Sequence, residues 1–262
     1  MTFLQREPAH TLGSPIRTAA QPLPLLLAAV YTVYAWALFL VVSLLTLLLA
    51  LLPMPLPRRR ALVRAGARLF LALAGLRLRL LHLQRLPDGP CVVVANHASY
   101  LDGVVMQAAL PSRFAFVIKR EMNDVPLAGL LLRRIGAEFV DRGRGQRGAR
   151  DARRVMRTAT SGASLAFFPE GTFEDTPGLL RFHAGAFVAA VRAGCPVAPA
   201  VIRGTREALQ LRRWLAFPGV IEVELLPALA IPAGDDESAV AWLRQASREA
   251  ILQRLGEPDL AP

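Results

Sequence analysis

The sequence has few of the residues that mark several common protein classes. It contains 2 cysteines and 4 histidines, and the one lysine among its 31 basic residues is Lys119. Two cysteines exclude a disulfide framework, and the apolar surroundings of Cys91 and Cys195 are typical of small core residues. No histidine or cysteine pair has zinc spacing, and neither a Gly-x-Ser-x-Gly elbow nor a Gly-x-x-x-x-Gly-Lys phosphate loop is present. We therefore expect no metal site and neither of those two chemistries.

Charged residues are also missing from the whole stretch between Thr18 and Pro57. Within it, Leu25 to Leu52 is almost continuously apolar, and one helix of that length would extend ~42 Å, beyond a ~30 Å hydrocarbon core. The stretch is too long for a secretory signal and lacks a small-x-small cleavage pattern. We expect residues 1–57 to be a membrane-anchoring segment that tilts, bends or lies partly in the interface, and residues 58–262 to form the main domain.

Arginines begin where this apolar stretch ends. Arg60, Arg64 and Arg68 share one face of a predicted amphipathic helix over residues 58–76, a pattern typical of a helix lying on an anionic bilayer. The arginine excess on this side predicts that the main domain faces the cytoplasm, at the inner membrane. The formal net charge is +11, but aromatic residues that could stack on bases are not interleaved with the basic ones. We expect membrane lipids as partners, and no nucleic acid.

Short apolar runs alternate with amphipathic stretches in the rest of the chain. The predicted strands cover residues 78–83, 92–95, 114–118, 138–140, 165–168, 197–202 and 220–226. The predicted helices cover residues 101–110, 126–134, 149–160, 184–193 and 238–255. This alternation predicts an α/β fold with a largely parallel sheet flanked by helices, whose ligands bind at the carboxyl ends of the strands.

One such strand end carries an imidazole and a carboxylate five residues apart. Asn96 and His97 follow the apolar run 92–95, and Ser99 with Asp102 has the spacing that opens a helix. Asp102 in the first helical turn could reach back to the His97 ring. A carboxylate on one imidazole nitrogen fixes the tautomer and makes the other nitrogen a better general base. On spacing alone, a loop histidine and a first-turn acid that favours the helix dipole explain the pattern equally well.

Two further strand ends carry polar motifs. Phe167-Phe168-Pro169-Glu170-Gly171-Thr172 ends one strand, and Gly136-Ala137-Glu138-Phe139-Val140-Asp141-Arg142 ends another. Together with Asn96-His97 and Asp102, the ordered set resembles the motifs of the glycerolipid acyltransferase family. The family patterns are Asn-His-x-x-x-x-Asp, Gly-x-x-Phe-Ile-x-Arg and Phe-Pro-Glu-Gly-Thr. The resemblance covers approximately residues 83–226.

The resemblance implies an acyltransferase that joins an acyl chain to the hydroxyl of a lysophospholipid, with 1-acylglycerol 3-phosphate as acceptor and phosphatidic acid as product. It implies His97 as the general base and Asp102 as its orienting partner. Glu170, Gly171 and Thr172 would shape the acceptor site. Arg142 would hold the phosphate through bidentate bonds, with Lys119 as a further cation. The donor would be acyl-CoA or acyl-carrier protein, and no cofactor is expected because thiolate is a good leaving group.

The sequence departs from the family pattern at two positions. Phe173 stands where many members have arginine, and His183 stands where a lysine is common. Both departures remove a cation near the expected phosphate site. A different acceptor, such as a lyso-ornithine lipid, therefore remains an alternative.

Two hypotheses from other functional classes also remain. The first is a membrane-anchored lipid-binding module that has lost turnover, against which the intact His97 and Asp102 argue. The second is an NAD-binding oxidoreductase, because residues 143–148 read Gly-x-Gly-x-x-Gly with Glu170 about twenty residues on. Asp141 and Arg142 separate these glycines from the preceding strand, and this spacing argues against a dinucleotide turn.

Overall fold

The computed structural model describes residues 25–141, 146–210 and 214–261. The helices within these ranges are α1 Leu25–Leu51, α2 Leu56–Leu73, α3 Leu101–Ala109, α4 Ala128–Arg134, α5 Gln146–Thr160, α6 Gly185–Ala193, α7 Thr205–Ala208 and α8 Asp236–Leu255. The strands are β1 Leu76–Leu81, β2 Val92–Ala95, β3 Phe114–Lys119, β4 Glu138–Val140, β5 Ser164–Phe167, β6 Val197–Arg203, β7 Leu209–Gln210, β8 Leu215–Ala216 and β9 Gly219–Leu225.

Seven of these strands form one mixed sheet, in the order β1-β9-β6-β2-β5-β3-β4. All neighbours are parallel except β6 and β9, which are antiparallel. The central strand β2 is buried along its length and pairs with β5 on one side and β6 on the other. The predicted α/β class and its largely parallel sheet are confirmed. The carboxyl ends of β2 and β5 therefore meet at the middle of one sheet edge.

Helices cover both faces of the sheet, and each face has its own apolar core. Val93 and Ala95 of β2 pack into the core that contains residues of α1, α2 and α3. Val92 and Val94 pack into the opposite core, with residues of α5, α6 and α8. Because successive strand residues point to opposite faces, a continuous apolar run is what a doubly covered strand requires. Cys91 and Cys195 are buried and unpaired, as expected of core residues.

The predicted elements are present, with shifts at their ends. β1 ends before residue 83 because His82 adopts a left-handed φ of 56° and begins a 3-10 turn. α4 starts after Leu127, which has a φ of 62°, and not at residue 126. α8 starts two residues early because the Asp235 side chain accepts a hydrogen bond from Ser238 N at 2.9 Å. The short helix α7 and the β7-β8 hairpin were not predicted.

The N-terminal helix α1 lies along the domain. Its length and composition would allow it to cross a membrane. Tyr31 Oη donates to Ala74 O at 2.6 Å near one end of α1, and Arg134 donates to the carbonyl of Ala50 at 3.1 Å near the other. A Cβ on Gly66 of α2 would lie 2.4 Å from Thr46 Oγ1, so the two helices cross closely at this glycine. α1 is thus joined to the rest of the protein along most of its length.

The prediction that the arginines of α2 face lipid is wrong. Arg60 Nε donates to Ile135 O, just beyond α4, at 2.8 Å. Arg64 and Arg68 donate to carbonyl oxygens in the last turn of α3, Arg68 at 2.8 Å. These carbonyls have no partner within their own helices and carry the negative end of the helix dipole, so guanidinium groups satisfy them. The outward face of α2 carries Ala61, Ala65, Leu69, Ala72 and Leu73, together with the exposed side chains of Arg58 and Arg68.

We expect Arg60→Ala to lower the free energy of unfolding by ~1–3 kcal/mol, because it leaves part-buried carbonyl groups without donors. Arg58→Ala is the matched control, since Arg58 is exposed on the same helix and should change stability by less than ~0.5 kcal/mol. Thermal unfolding of the full chain in detergent measures both effects. Equal losses in the two variants would contradict the docked position of Arg60.

Candidate active site

His97 leaves the carboxyl end of β2 and lies against Asp102 in the first turn of α3. The His97 Nδ1 atom is 2.8 Å from Asp102 Oδ2. Because a carboxylate can only accept hydrogen bonds, a neutral His97 ring donates from Nδ1 and keeps the lone pair on Nε2. The spacing of His97 and Asp102 left open whether the two side chains interact. The structure shows that they are hydrogen-bonded.

The Asp102 carboxylate is fully buried and is held by the backbone of the loop that precedes it. Its Oδ2 accepts hydrogen bonds from Ala98 N at 2.6 Å and from Ser99 N at 2.8 Å, in addition to the His97 ring. Ser99 Oγ in turn accepts from Leu101 N at 3.3 Å. These reciprocal bonds resemble a capping box, so the signals that start α3 also orient the carboxylate. The predicted start of this helix is confirmed.

Asn96 plays a part that the sequence did not reveal. Its side-chain amide donates to Ile202 O at 3.0 Å and accepts from Ile202 N at 2.7 Å. Both bonds go to β6, the strand beside β2, and extend the pairing of the two strands past the last residue of β2. The buried amide therefore fixes the backbone at the position where His97 leaves the sheet. The available signals were its place in the Asn-His-x-x-x-x-Asp pattern and its position directly after the apolar run 92–95.

Glu170 links the loop after β5 to the loop that carries His97. Its Oε1 accepts from His97 N at 2.6 Å, and its Oε2 accepts from Leu180 N at 2.8 Å. Burial raises the pKa of Glu170 to about 7, although the N–H groups of Leu180 and His97 lower it in part. Both carboxylate oxygens thus bind backbone groups. Gly171 follows with a φ of 81°, and Thr172 is exposed.

Two phenylalanines enclose the His97 ring. Phe168 stacks on it with ring centroids 4.3 Å apart and planes inclined by 16°. Phe173 contacts it at 4.4 Å with planes inclined by 60°. Phe173 therefore lies directly at the His97 side chain, at the position where an arginine would be expected from the family pattern. With these two contacts, the His97 side chain is 17% exposed.

The cations expected at this site are Arg142 and Lys119. Arg142 lies outside the described residues. Lys119 ends β3 and is exposed, with its Nζ 3.1 Å from Glu121 Oε1. Because β5 separates β3 from β2, Lys119 is two strand spacings from His97, about 10 Å. His183 lies beside the Glu170 loop, where its backbone N donates to Pro169 O at 2.8 Å.

A buried carboxylate anchors the chain just before Arg142. Asp151 of α5 accepts from Arg120 Nε at 3.1 Å and from Asp141 N at 3.0 Å. The hydrogen bonds from the Arg120 guanidinium hold the pKa of Asp151 below its usual value. The arginine-rich helix α5 gave no indication that its one acid has this role. Residue 141 is thereby held at the carboxyl end of β4, on the same sheet edge as His97.

The comparisons with known proteins agree with this geometry. The family model described as Acyltransferase matches residues 77–203. Human 1-acyl-sn-glycerol-3-phosphate acyltransferase beta is 30% identical over 194 residues, which are 71% of this chain and 68% of that protein. Mouse lysophospholipid acyltransferase LPCAT4 is 37% identical over 167 residues, 61% of this chain but 30% of that longer protein.

A solved structure has the same fold. The crystal structure of the 1-acyl-sn-glycerophosphate acyltransferase PlsC from Thermotoga maritima superposes with a TM-score of 0.69 at 21% identity. The match covers 87% of this chain and 95% of that one, so it includes the sheet and its flanking helices. The motifs, the match to the human enzyme and the shared fold agree, and the chain is therefore an acyltransferase that belongs to the Acyltransferase family.

Proposed function

We propose that this protein transfers an acyl chain from acyl-CoA or acyl-carrier protein to the free hydroxyl of 1-acylglycerol 3-phosphate, giving phosphatidic acid. The observation that carries this proposal is the 2.8 Å contact between His97 Nδ1 and Asp102 Oδ2 at the carboxyl end of β2. Ligands of parallel sheets bind at this edge. The names of the relatives support the acceptor class.

His97 acts as the general base in this mechanism. Its Nε2 takes the proton of the acceptor hydroxyl while the hydroxyl oxygen attacks the thioester carbonyl carbon. The carbon–sulfur bond then breaks, and the departing thiolate takes the proton from the imidazolium. Asp102 keeps the ring in the correct tautomer and stabilises its positive charge. The reaction needs no protein nucleophile and no metal or redox cofactor, because a thiolate is a good leaving group.

Glu170 acts as a positioning residue in this proposal, since both of its oxygens bind backbone N–H groups. It holds the His97 loop against the segment that contains Gly171 and Thr172, which we propose to line the acceptor site. Arg142 is proposed to bind the acceptor phosphate with its planar fork, and Lys119 to add positive charge at the same edge.

A second acceptor class is supported by the position of Phe173. Its ring touches His97, so an apolar side chain and not a cation lies against the proposed general base. An acceptor with a bulkier or less anionic head group, such as another lysophospholipid or a lyso-ornithine lipid, fits this surrounding. The match to LPCAT4 agrees with that wider class.

We also propose that the exposed apolar faces of α1 and α2 bind the membrane together. The exposed leucines of α1, including Leu40, Leu44 and Leu48, and the outward face of α2 would enter the bilayer. The arginine distribution around residue 58 supports a catalytic domain on the cytoplasmic side. The acceptor would then reach the enzyme without leaving the lipid phase.

His97→Ala should reduce turnover by ~10²–10⁴-fold while the protein stays folded, because general-base assistance is lost. Asp102→Asn should also be damaging, since it keeps the size of the side chain and removes its charge. The measurement is acyl transfer by purified protein to lysophosphatidic acid, with Arg58→Ala as the control. Near wild-type rates for His97→Ala would contradict the mechanism, and an inactive wild type would favour a lipid-binding module.

The raised pKa of Glu170 predicts a pH-dependent contribution to stability. A group whose pKa is raised on folding stabilises the fold fully below its unfolded pKa, ~4.5. This contribution is lost as the pH rises through about 7. The free energy of unfolding of the wild type, relative to that of Glu170→Gln, should therefore decrease by on the order of 3 kcal/mol as the pH rises from ~4.5 to about 7. Thermal unfolding at several pH values measures it, and the exposed Glu249→Gln should show no such trend. A pH-independent difference would contradict the prediction.

Phe173→Arg tests the choice of acceptor. If the phenylalanine leaves the head-group site without a cation, the added arginine should raise the ratio of kcat/KM for lysophosphatidic acid to that for lysophosphatidylcholine about tenfold. Phe173→Leu is the matched control, because it removes the ring without adding charge. A wild type already strictly selective for lysophosphatidic acid, and not improved by the arginine, would mean that other cations bind the phosphate.

A further inference from the structure

A series of aromatic side chains connects His97 with the N-terminal helix. Phe173 touches His97, Tyr100 contacts Phe173 at a centroid distance of 4.8 Å, and Trp214 stacks on Tyr100 at 5.3 Å. Trp36 of α1 contacts Trp214 at 5.9 Å. We call Phe173, Tyr100, Trp214 and Trp36 the aromatic track. Its members come from four separate segments of the chain, so the fold and not one local motif brings them together.

Trp214 is the central residue of the track, and its position is unusual. Its φ is 52°, a left-handed conformation that bulky residues rarely adopt. The β7-β8 hairpin that carries it is bonded to α1 twice, because Trp36 Nε1 donates to Trp214 O at 3.4 Å and Thr32 Oγ1 accepts from Ala216 N at 3.0 Å. Backbone outliers held by their surroundings are concentrated at ligand sites.

The track is exposed over most of its length. Tyr100 is 51% exposed, Trp214 48% and Trp36 38%. At the α1 end it continues into exposed apolar side chains, among them Val33 and Leu40. At the other end it stops at the His97 ring. A ribbon of accessible apolar surface thus runs from the proposed membrane face to the proposed general base.

We propose that the aromatic track binds the acyl chain of the lysolipid acceptor and leads that chain from the bilayer to His97. This inference rests on the proposed function and adds a chain-binding site to it. A lysolipid whose chain lies on the track keeps its methylenes out of water while its glycerol hydroxyl approaches His97. The aromatic rings offer large and rigid apolar surfaces for this contact.

The acceptor fits the track better than the donor does. A lysolipid resides in the membrane, and the track begins at the surface that would contact the membrane. The donor thioester is carried by a water-soluble group or protein and approaches from solvent. The hydroxyl of a lysolipid also lies near its head group, so a chain extending from Phe173 toward Trp36 places that hydroxyl at the His97 end.

The test compares two acceptors that share one head group. Trp214→Ala and Trp36→Ala are each measured with oleoyl and hexanoyl lysophosphatidic acid at a fixed donor. We expect KM for the oleoyl acceptor to rise about tenfold with kcat unchanged, because apolar contact area is lost. KM for the hexanoyl acceptor should stay the same. Trp242→Ala is the matched control, since Trp242 is 47% exposed on α8 and lies outside the track.

Three results would overturn the proposal. These are equal losses with both acceptors, an effect that follows the chain length of the donor, and no effect in either variant. Trp36→Ala alters the track from α1 and keeps the bond from Ala216 N to Thr32 Oγ1, which also holds the hairpin.

A second measurement does not depend on turnover. A lysophosphatidic acid with a diazirine in its acyl chain should label Trp214 and Tyr100 in the wild type, and unlabelled lysolipid should suppress this labelling. Labelling at the track in a protein without acyl transfer would refute the proposed reaction and leave the chain site standing. Labelling elsewhere in an active enzyme would refute the chain site alone.

Discussion

The arrangement of the site depends on one buried carboxylate. Asp102 Oδ2 accepts hydrogen bonds from Ala98 N, from Ser99 N and from the His97 ring, all within 2.8 Å. Two of these bonds shape the loop between β2 and α3, and the third orients the imidazole. A buried carboxylate without such partners would be costly, so the loop conformation and the ring orientation are stabilised together. Glu170, in the loop after β5, binds the same loop, and Asn96 ties it to Ile202 of β6 on the other side of β2.

Arginine has a structural use in this protein that its charge alone does not suggest. Arg60, Arg64 and Arg68 donate to carbonyls at or just beyond the ends of α3 and α4, and Arg134 donates to the carbonyls that end α1. A guanidinium presents several donors in a fixed plane and is weakly hydrated, which suits it to part-buried carbonyl groups better than an ammonium. A chain with 31 basic residues and a single lysine is therefore consistent with helices joined through their termini.

Much of the fold could be predicted from the sequence, because the buried strands are short apolar runs and the start of α3 has a clear signal. The alternation over residues 92–202 identifies the sheet, and the Ser99 to Asp102 spacing correctly places Asp102 in the first turn of α3, just after the strand end that carries His97. What could not be predicted depends on tertiary contacts. Periodicity shows that the arginines of α2 share one face, but not whether that face meets lipid or protein. Trp214 gave no signal, because its neighbours in space come from distant segments.

Main-chain carbonyls take part in the docking of α1 on the domain, beside the apolar contacts of residues such as Phe39. Tyr31 and Tyr34 bind carbonyls at the end of α2, and Arg134 binds those at the end of α1. Every residue type supplies a carbonyl, so the recognised groups survive substitution of the side chains that carry them. The outward leucines are consequently free to drift during evolution. In organisms with thicker, thinner or more saturated bilayers, the outward side chains of α1 can therefore change while the hydrogen bonds that dock the helix are kept.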